Sequence, residues 1–343
     1  MEAAGLFAVA QVRGVVFAQL LYGGDDVSRK KERGRREKMK FEYQLAKFIP
    51  FRDKKVCHRV REIKKSEFCR HPNPNFKIRI IEDPTEFYLE FALDIVNRLR
   101  QSAQEGKKLV AIFPVGPMPQ YPIAARLINQ FRISCQHLHS FNMDEYADQD
   151  GNTAPTNWEG SFQRAMMESF FGKIDPSLRP SEKQIHFPTK KVLPDYGKMI
   201  EDVGGADVCY GGIGWCGHIA FWEAHLGLEF GDDLVAYKKA GPRCVELHPM
   251  TIMQNALHSF SGDWSLVPPR ANTIGPAQIV GAKYRSFWLD GYLGGGVSWQ
   301  RFIARLVAHG PVNTLVPGSI LQTVPTSYSV LGGVAEDVTI HMA

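Results

Sequence analysis

Residues 211–223 read GGIGWCGHIAFWE, directly after the strand-like run ADVCY at 206–210. An apolar strand running into glycines is the sequence mark of a chain that must bring its backbone close to something. Gly211, Gly212, Gly214 and Gly217 supply that freedom, His218 follows at once, and Glu223 comes five residues later. Histidine is the side chain best suited to give and take a proton near neutral pH. A carboxylate on its second ring nitrogen would fix the tautomer. A lone histidine at a glycine-rich strand exit is often only structural, so the neighbours decide. A dinucleotide fingerprint fits poorly, because GxGxxG should open the helix of an early βαβ unit, and this stretch comes late and runs into HIAFWE.

Working outward, the chain alternates strand-like and helix-like segments from residue 77 onward. KIRII, KKLVAIFP, CQHLHSFNM, ADVCYGGIG and YRSFWLD read as strands. PTEFYLEFALDIVNRLRQSAQ, the run 119–131, WEGSFQRAMMESFF, YGKMIEDVG, PMTIMQNALHSF and VSWQRFIARLVAHG read as helices. Strands alternating with long helices predict an α/β fold: a doubly wound, mostly parallel sheet with helices on both faces. Ligands of such sheets sit beyond the carboxyl ends of the strands. Three strand ends therefore stand out: FPVGPMPQY (113–121), FNMDEY (141–146) and GGIGWCGHIAFWE. FNMDEY puts Asp144 and Glu145 at the end of an apolar run, where a carboxylate serves either as a cap or as a general base for a carbon acid. FPVGPMPQY has the strand–turn–helix form of a phosphate loop, but Pro114, Pro117 and Pro119 carry no N–H, and the turn has no Ser, Thr, Lys or Arg.

The net charge of +5 is unevenly spread: RKKERGRREKMK (29–40) carries eight Lys or Arg against two Glu. A nucleic-acid partner needs a basic folded face, and here the excess sits in a tail, so no nucleic-acid partner is expected. We expect residues 1–40 to be a disordered basic tail, or to arise from a start placed upstream of Met39. Residues 41–76 are expected to be an irregular extension, and 77–343 a single domain. No apolar run reaches a membrane span, and Arg13 interrupts the nearest. With no basic n-region and no clear cleavage site, no cleaved leader is expected. The six cysteines include no CxxC pair, which suits a reducing, cytoplasmic setting, with no metal site and no disulfide framework.

At FNMDEY and GGIGWCGHIAFWE the chain resembles the glucosamine-6-phosphate deaminase (isomerase) family, which shares a superfamily with the 6-phosphogluconolactonases. FNMDEY matches that family's motif without change, and the glycine stretch resembles its GG-x-G-x-D-GHIAFNEP. Weaker echoes are LHPMTIMQNA, VPPRANTIG and GPVNTLVPGSILQ, so the resemblance covers about residues 77–325. It implies the α/β fold and a sugar or sugar-phosphate substrate, with no metal or organic cofactor and no membrane partner; a homo-oligomer is left open. It implies that His218 opens the sugar ring, that Asp144 carries a proton between carbon 2 and carbon 1, and that Glu223 pairs with His218. Gly116, Gly212 and Ala220 would line the sugar, with Cys216 beside them.

The chain departs from the family at several points. Where the family has an Asp two residues before the His, this chain has Cys216. The family's loop reads PTGGTP or PTGSTP, and here it is PVGPMP. A phosphate-binding Arg is replaced at Ile252, and a phosphate-binding Lys after YRSFWLD is replaced by GYLGGG; Arg270 and Lys283 are candidates to stand in. Two readings follow. One is a divergent sugar isomerase or deaminase with altered phosphate recognition, and the other a non-catalytic sugar-binding or regulatory protein. A lactonase is disfavoured, since that branch has GHTASLFP in place of GHIAF.

Overall fold

The structure, a computed structural model, describes residues 42–340; the tail expected at 1–40 lies outside the described residues. In chain order the strands are β1 (Phe76–Ile81), β2 (Leu109–Phe113), β3 (Leu138–Asn142), β4 (Asp144–Ala147), β5 (Ile185–His186), β6 (Val208–Gly211), β7 (Arg243–Glu246), β8 (Arg270–Thr273), β9 (Tyr284–Leu289), β10 (Tyr292–Gly294), β11 (Val297–Ser298) and β12 (Thr326–Leu331). Six helices matter below: α1 (Lys54–Arg61), α2 (Pro84–Gln104), α3 (Gln120–Gln130), α4 (Phe162–Ser169), α5 (Pro249–Ser259) and α6 (Arg301–His309).

Seven strands form one sheet in the order β1-β12-β9-β6-β2-β3-β5, and every neighbouring pair is parallel. Successive residues of a strand face opposite sides. All of LVAIF in β2 and all of VCYG in β6 are buried, so both faces of the sheet centre are covered. This is the continuous apolar pattern of a parallel sheet, and it agrees with the α/β class read from the sequence. Helix α2 shows how a covering element is specified. Asp83 caps it by accepting from the Glu86 N–H at 2.9 Å, and Pro84 stands in its first turn. Phe87, Phe91, Ile95 and Leu99 recur at every fourth position and are buried. Phe91 stacks on Trp288 of β9, with ring centroids 4.5 Å apart.

A second, antiparallel sheet has the order β4-β8-β7. The sequence reading ended a strand at Met143. In the structure β3 stops at Asn142, and after Met143 the chain enters the second sheet, pairing Asp144 with Thr273. Asp144 thus stands where the chain leaves one sheet for the other.

The segment expected to be an irregular extension packs as part of the core. Helix α1 is capped by the Asp53 side chain, which accepts from the N–H groups of Lys55 and Val56 at 2.9 and 3.0 Å. Phe51, Val60 and Phe68 are buried in the same apolar cluster as β2 and β6. Fully buried Arg305 of α6 ties this segment down. Its guanidinium donates to the carbonyls of Ile63 (2.9 Å), Arg301 (3.0 Å) and Ala335 (2.7 Å) and lies 5.0 Å from the Phe68 ring centroid. Replacing it removes the side-chain donor from the carbonyls of Ile63 and Ala335, each unpaired group costing about 1–3 kcal/mol. We expect Arg305→Ala to lower unfolding stability by about 3 kcal/mol or more, measured by urea titration; a change within the noise of that titration would show that residues 45–76 are held by other contacts.

Candidate active site

The chain runs β2 to β3 to β5 toward one edge, and β6 then returns to the opposite side of β2. Connections leaving β2 and β6 diverge at that reversal and open a crevice beyond the carboxyl ends. A cavity of about 350 Å³ lies there, bounded by the turn Pro114–Pro119, the glycines after β6, Asp144 and His218. The two walls nearly touch. A side-chain carbon added at Gly212 would stand 3.5 Å from the carbonyl oxygens of both Gly116 and Trp288. Gly214 is required for a stronger reason, because an added carbon would lie 1.9 Å from Nε2 of His218.

His218 is buried, and its Nδ1 meets three groups: Thr251 Oγ1 at 3.0 Å, Cys216 Sγ at 3.2 Å and Glu223 Oε2 at 3.5 Å. The Glu223 oxygen also accepts from the Thr251 hydroxyl at 2.9 Å and the Cys216 thiol at 3.2 Å. Burial works against both charges of the pair. The attraction between them prevails, holding the imidazolium well above its usual range and the Glu223 carboxyl below its own. Ala220, between the two, has a left-handed backbone (φ 53°), which a non-glycine residue adopts only when its surroundings impose it.

The two acidic residues of FNMDEY have separate tasks. Glu145 accepts from the N–H groups of Tyr146, Phe162 and Gln163 and from the Ser161 hydroxyl, at 2.8–3.0 Å. It therefore anchors the N-terminus of α4, where a negative charge is favoured. Asp144 faces the cavity, and its Oδ1 is buried without a hydrogen-bond partner among the described residues. Burial and the nearby Glu145 charge push its carboxyl up to about 8, against an opposing pull from His218.

Gly116, Gly212 and Ala220 line the cavity. Cys216, expected beside the substrate, does not; it sits behind His218, between it and Glu223. Ile252 packs into the apolar cluster of the second sheet. Arg270 and Lys283 do not reach the cavity: Arg270 donates to the Gln149 carbonyl, and Lys283 pairs with Asp207 at 2.7 Å. No Lys or Arg is among the described residues that line it. Sequence reading missed Gln254, Asn255 and His258 of α5, and Asp290 and Trp299 beyond β9, all of which line the cavity. The available signal was the polar face of PMTIMQNALHS, an otherwise apolar helix.

No family model matches the chain. It is 32% identical over 213 residues to glucosamine-6-phosphate deaminase of Caenorhabditis elegans, covering 60% of this chain and 72% of that protein. It is 28% identical over 242 residues to glucosamine-6-phosphate deaminase 2 of Giardia intestinalis, covering 68% and 82%. Among solved structures, a monomeric glucosamine-6-phosphate deaminase matches with a TM-score of 0.63 at 20% identity, over 76% of this chain and 99% of that one. The 6-phosphogluconolactonase of Trypanosoma cruzi matches with a TM-score of 0.53 at 14% identity, over 79% and 100%, a likeness of fold alone.

The Asp144 carboxyl yields a stability prediction. Its folded value of about 8 lies above the ordinary 3.8. The folded state then binds the extra proton between those values, and stability falls as pH rises through that window. Asp144→Asn removes the penalty. We expect the variant to melt above the parent at pH 8, by about 1 kcal/mol or more, and the gain to vanish near pH 4; a variant no more stable than the parent at pH 8 would show that the carboxyl ionises freely.

Proposed function

The chain belongs to the glucosamine-6-phosphate deaminase family, and on that premise we propose that it is a divergent sugar isomerase or deaminase whose substrate is a hexose or hexosamine derivative lacking the 6-phosphate. The observation that carries this reading is a cavity that combines Asp144 and a Glu223-backed His218 with no Lys or Arg among its described lining residues. Its volume of about 350 Å³ falls within the range of small-molecule sites.

The chemistry assigns a role to each group. Nε2 of His218 passes a proton between the sugar's O1 and ring oxygen, opening the ring. Glu223 keeps the imidazole oriented and offsets its charge. Asp144, in its ionised form, takes the proton from carbon 2 of the open aldose and returns it to carbon 1. This converts the aldose to a ketose or, with an amino group at carbon 2, to a ketimine. Water adds to the ketimine and ammonia leaves. A base with a raised pKa and an oriented acid are the pair such proton transfers use near neutral pH.

Phosphate recognition is where this chain parts from the pattern. Each charged hydrogen bond to a desolvated phosphate contributes about 1.5–3 kcal/mol. The turn here offers Val115, Pro117 and Met118, and its carbonyls at Pro114 and Pro117 are taken by Tyr121 Oη and Gln120 Nε2, both at 2.6 Å. Tyr88, Trp288 and Trp299 instead give the cavity aromatic walls, which suit the apolar face of a sugar ring. Cys216 favours a second reading, a non-catalytic sugar sensor, because a thiol holds an imidazolium less well than a carboxylate does.

The readings separate in solution. With glucosamine 6-phosphate we expect ammonia release at a kcat/KM below about 10⁴ M⁻¹s⁻¹, and thermal shifts for free sugars at least as large as for their 6-phosphates. Deuterium from solvent should enter carbon 1 of the sugar that binds. Efficient turnover of the phosphorylated sugar would overturn the altered specificity. A bound sugar that exchanges no hydrogen and loses no ammonia would favour the sensor.

A further inference from the structure

The four atoms gathered behind His218 have a geometry that the proton-transfer role does not require. Cys216 Sγ, His218 Nδ1, Glu223 Oε2 and Thr251 Oγ1 are mutually close along all six edges: 3.2, 3.2 and 3.8 Å from the sulfur to nitrogen, carboxylate and hydroxyl, and 3.5, 3.0 and 2.9 Å among the other three. These are the edges of a slightly irregular tetrahedron. The centre of a tetrahedron lies about six tenths of an edge from each corner, here about 2 Å, against zinc bonds of about 2.0–2.2 Å to nitrogen and oxygen and about 2.3 Å to sulfur. The longest edge runs from the sulfur to the hydroxyl, so the fit needs only a small outward shift of Sγ.

We propose that Cys216, His218, Glu223 and Thr251 form a site for one divalent cation of the zinc type, and that the bound ion holds the catalytic histidine in an idle state. The donor set is a thiolate, an imidazole and a carboxylate, each an ordinary zinc ligand, with the Thr251 hydroxyl at the fourth corner. Charge also balances: a thiolate and a carboxylate neutralise a dication, so the buried cluster stays neutral with a neutral imidazole. A second observation points the same way. Glu223 is fully buried, and its other oxygen, Oε1, has no hydrogen-bond partner among the described residues. Rotation of that carboxylate can bring either oxygen, or both, to an ion.

The consequence for His218 follows from its two nitrogens. An ion on Nδ1 fixes the only mobile proton on Nε2, the nitrogen that makes no hydrogen bond of its own among the described residues. Such an imidazole can donate but cannot accept, so it cannot open a sugar ring by taking a proton. This consequence rests on the proposed catalytic role of His218; the site itself does not, and metal binding is read without turnover.

The test titrates the chelator-treated full chain with cobalt(II), a visible substitute for zinc. We expect one ion per chain, with intense tetrahedral bands and a thiolate-to-cobalt charge-transfer band. Cys216→Ser should abolish the charge-transfer band, and Cys216→Ser and Glu223→Gln should each weaken zinc affinity by about 100-fold or more. Cys69→Ser and Cys244→Ser, at the two thiols that are not buried, should keep the band. Should Cys216→Ser fail to fold, Cys216→Asp gives the same readout, since it retains an oxygen donor and removes the sulfur. Absence of the band in the parent, or its survival in folded Cys216→Ser or Cys216→Asp, overturns the proposal. So does its loss in Cys69→Ser or Cys244→Ser. If zinc binds as expected but the metal-free protein turns over no sugar, the metal site stands and the catalytic reading falls.

Discussion

Three carboxyl groups and an imidazole are buried at one end of the sheet, and an isolated charge there would cost several kcal/mol (about that much per ion). Each group meets this constraint differently. Glu145 is held by three backbone N–H groups and a hydroxyl at the start of α4. Glu223 and His218 offset one another. Asp144 has an oxygen with no donor among the described residues, and the pull of His218 does not offset its burial, so it keeps its proton up to about pH 8. The unsatisfied group is the one facing the cavity. The instability of the Asp144 anion is what suits this carboxyl to the part of a base in the proposed function.

The sheet supplies the positions. The reversal of strand order beside β2 opens the crevice, and the change of sheet at Met143 turns Asp144 into it. The far wall is stiff. Trp288 is stacked on Phe91, edge-on to Phe87, and covered by the Arg79 guanidinium at 4.8 Å. Gln300 adds a clamp, accepting from the Gly291 N–H at 2.8 Å and donating to the Ile213 carbonyl at 2.5 Å. These contacts join the loop after β9 to the loop after β6. The cavity is thus bounded by elements of both halves of the sheet, as ordered active sites commonly are.

Much of this was legible in the sequence because its signals were long. LVAIF reads as a buried strand and ADVCY as a strand running into glycines, and GGIGWCGHIAFWE places a histidine and a glutamate five residues apart. Other parts were not legible, for identifiable reasons. Strand β12, TSYSVL, reads as polar, yet the hydroxyls of Thr326, Tyr328 and Ser329 are buried and bonded: Ser329 Oγ accepts from Arg79 Nε at 2.8 Å. Strands β4, β7 and β8 are only four residues long and rich in polar groups, too short for a period to show. Residues 45–76 look irregular because their apolar members are few, and their partners lie far along the chain, Arg305 bonding Ile63 and His309 bonding Phe68 from more than two hundred residues later. The lining residues of α5 come from a helix face, and which face meets a cavity is a tertiary fact.

The departures from the family pattern are consistent with one another electrostatically. A 6-phosphate brings up to two negative charges and needs cations to offset them. The loop after β9, where the family places a lysine, here begins with Asp290, which lines the cavity. Burial raises the Asp290 carboxyl to about 6, partly countered by the Tyr88 hydroxyl donating at 2.9 Å, so at pH 7 it is mostly ionised. A phosphate entering there would meet a like charge in place of a partner, at low dielectric, where such repulsion is strong. A neutral sugar meets instead a carboxylate able to accept from its hydroxyls, the interaction by which buried acids commonly hold polyols in place. On the reading proposed above, Asp290 in the lining would add selection against phosphate to the want of a Lys or Arg among the described lining residues.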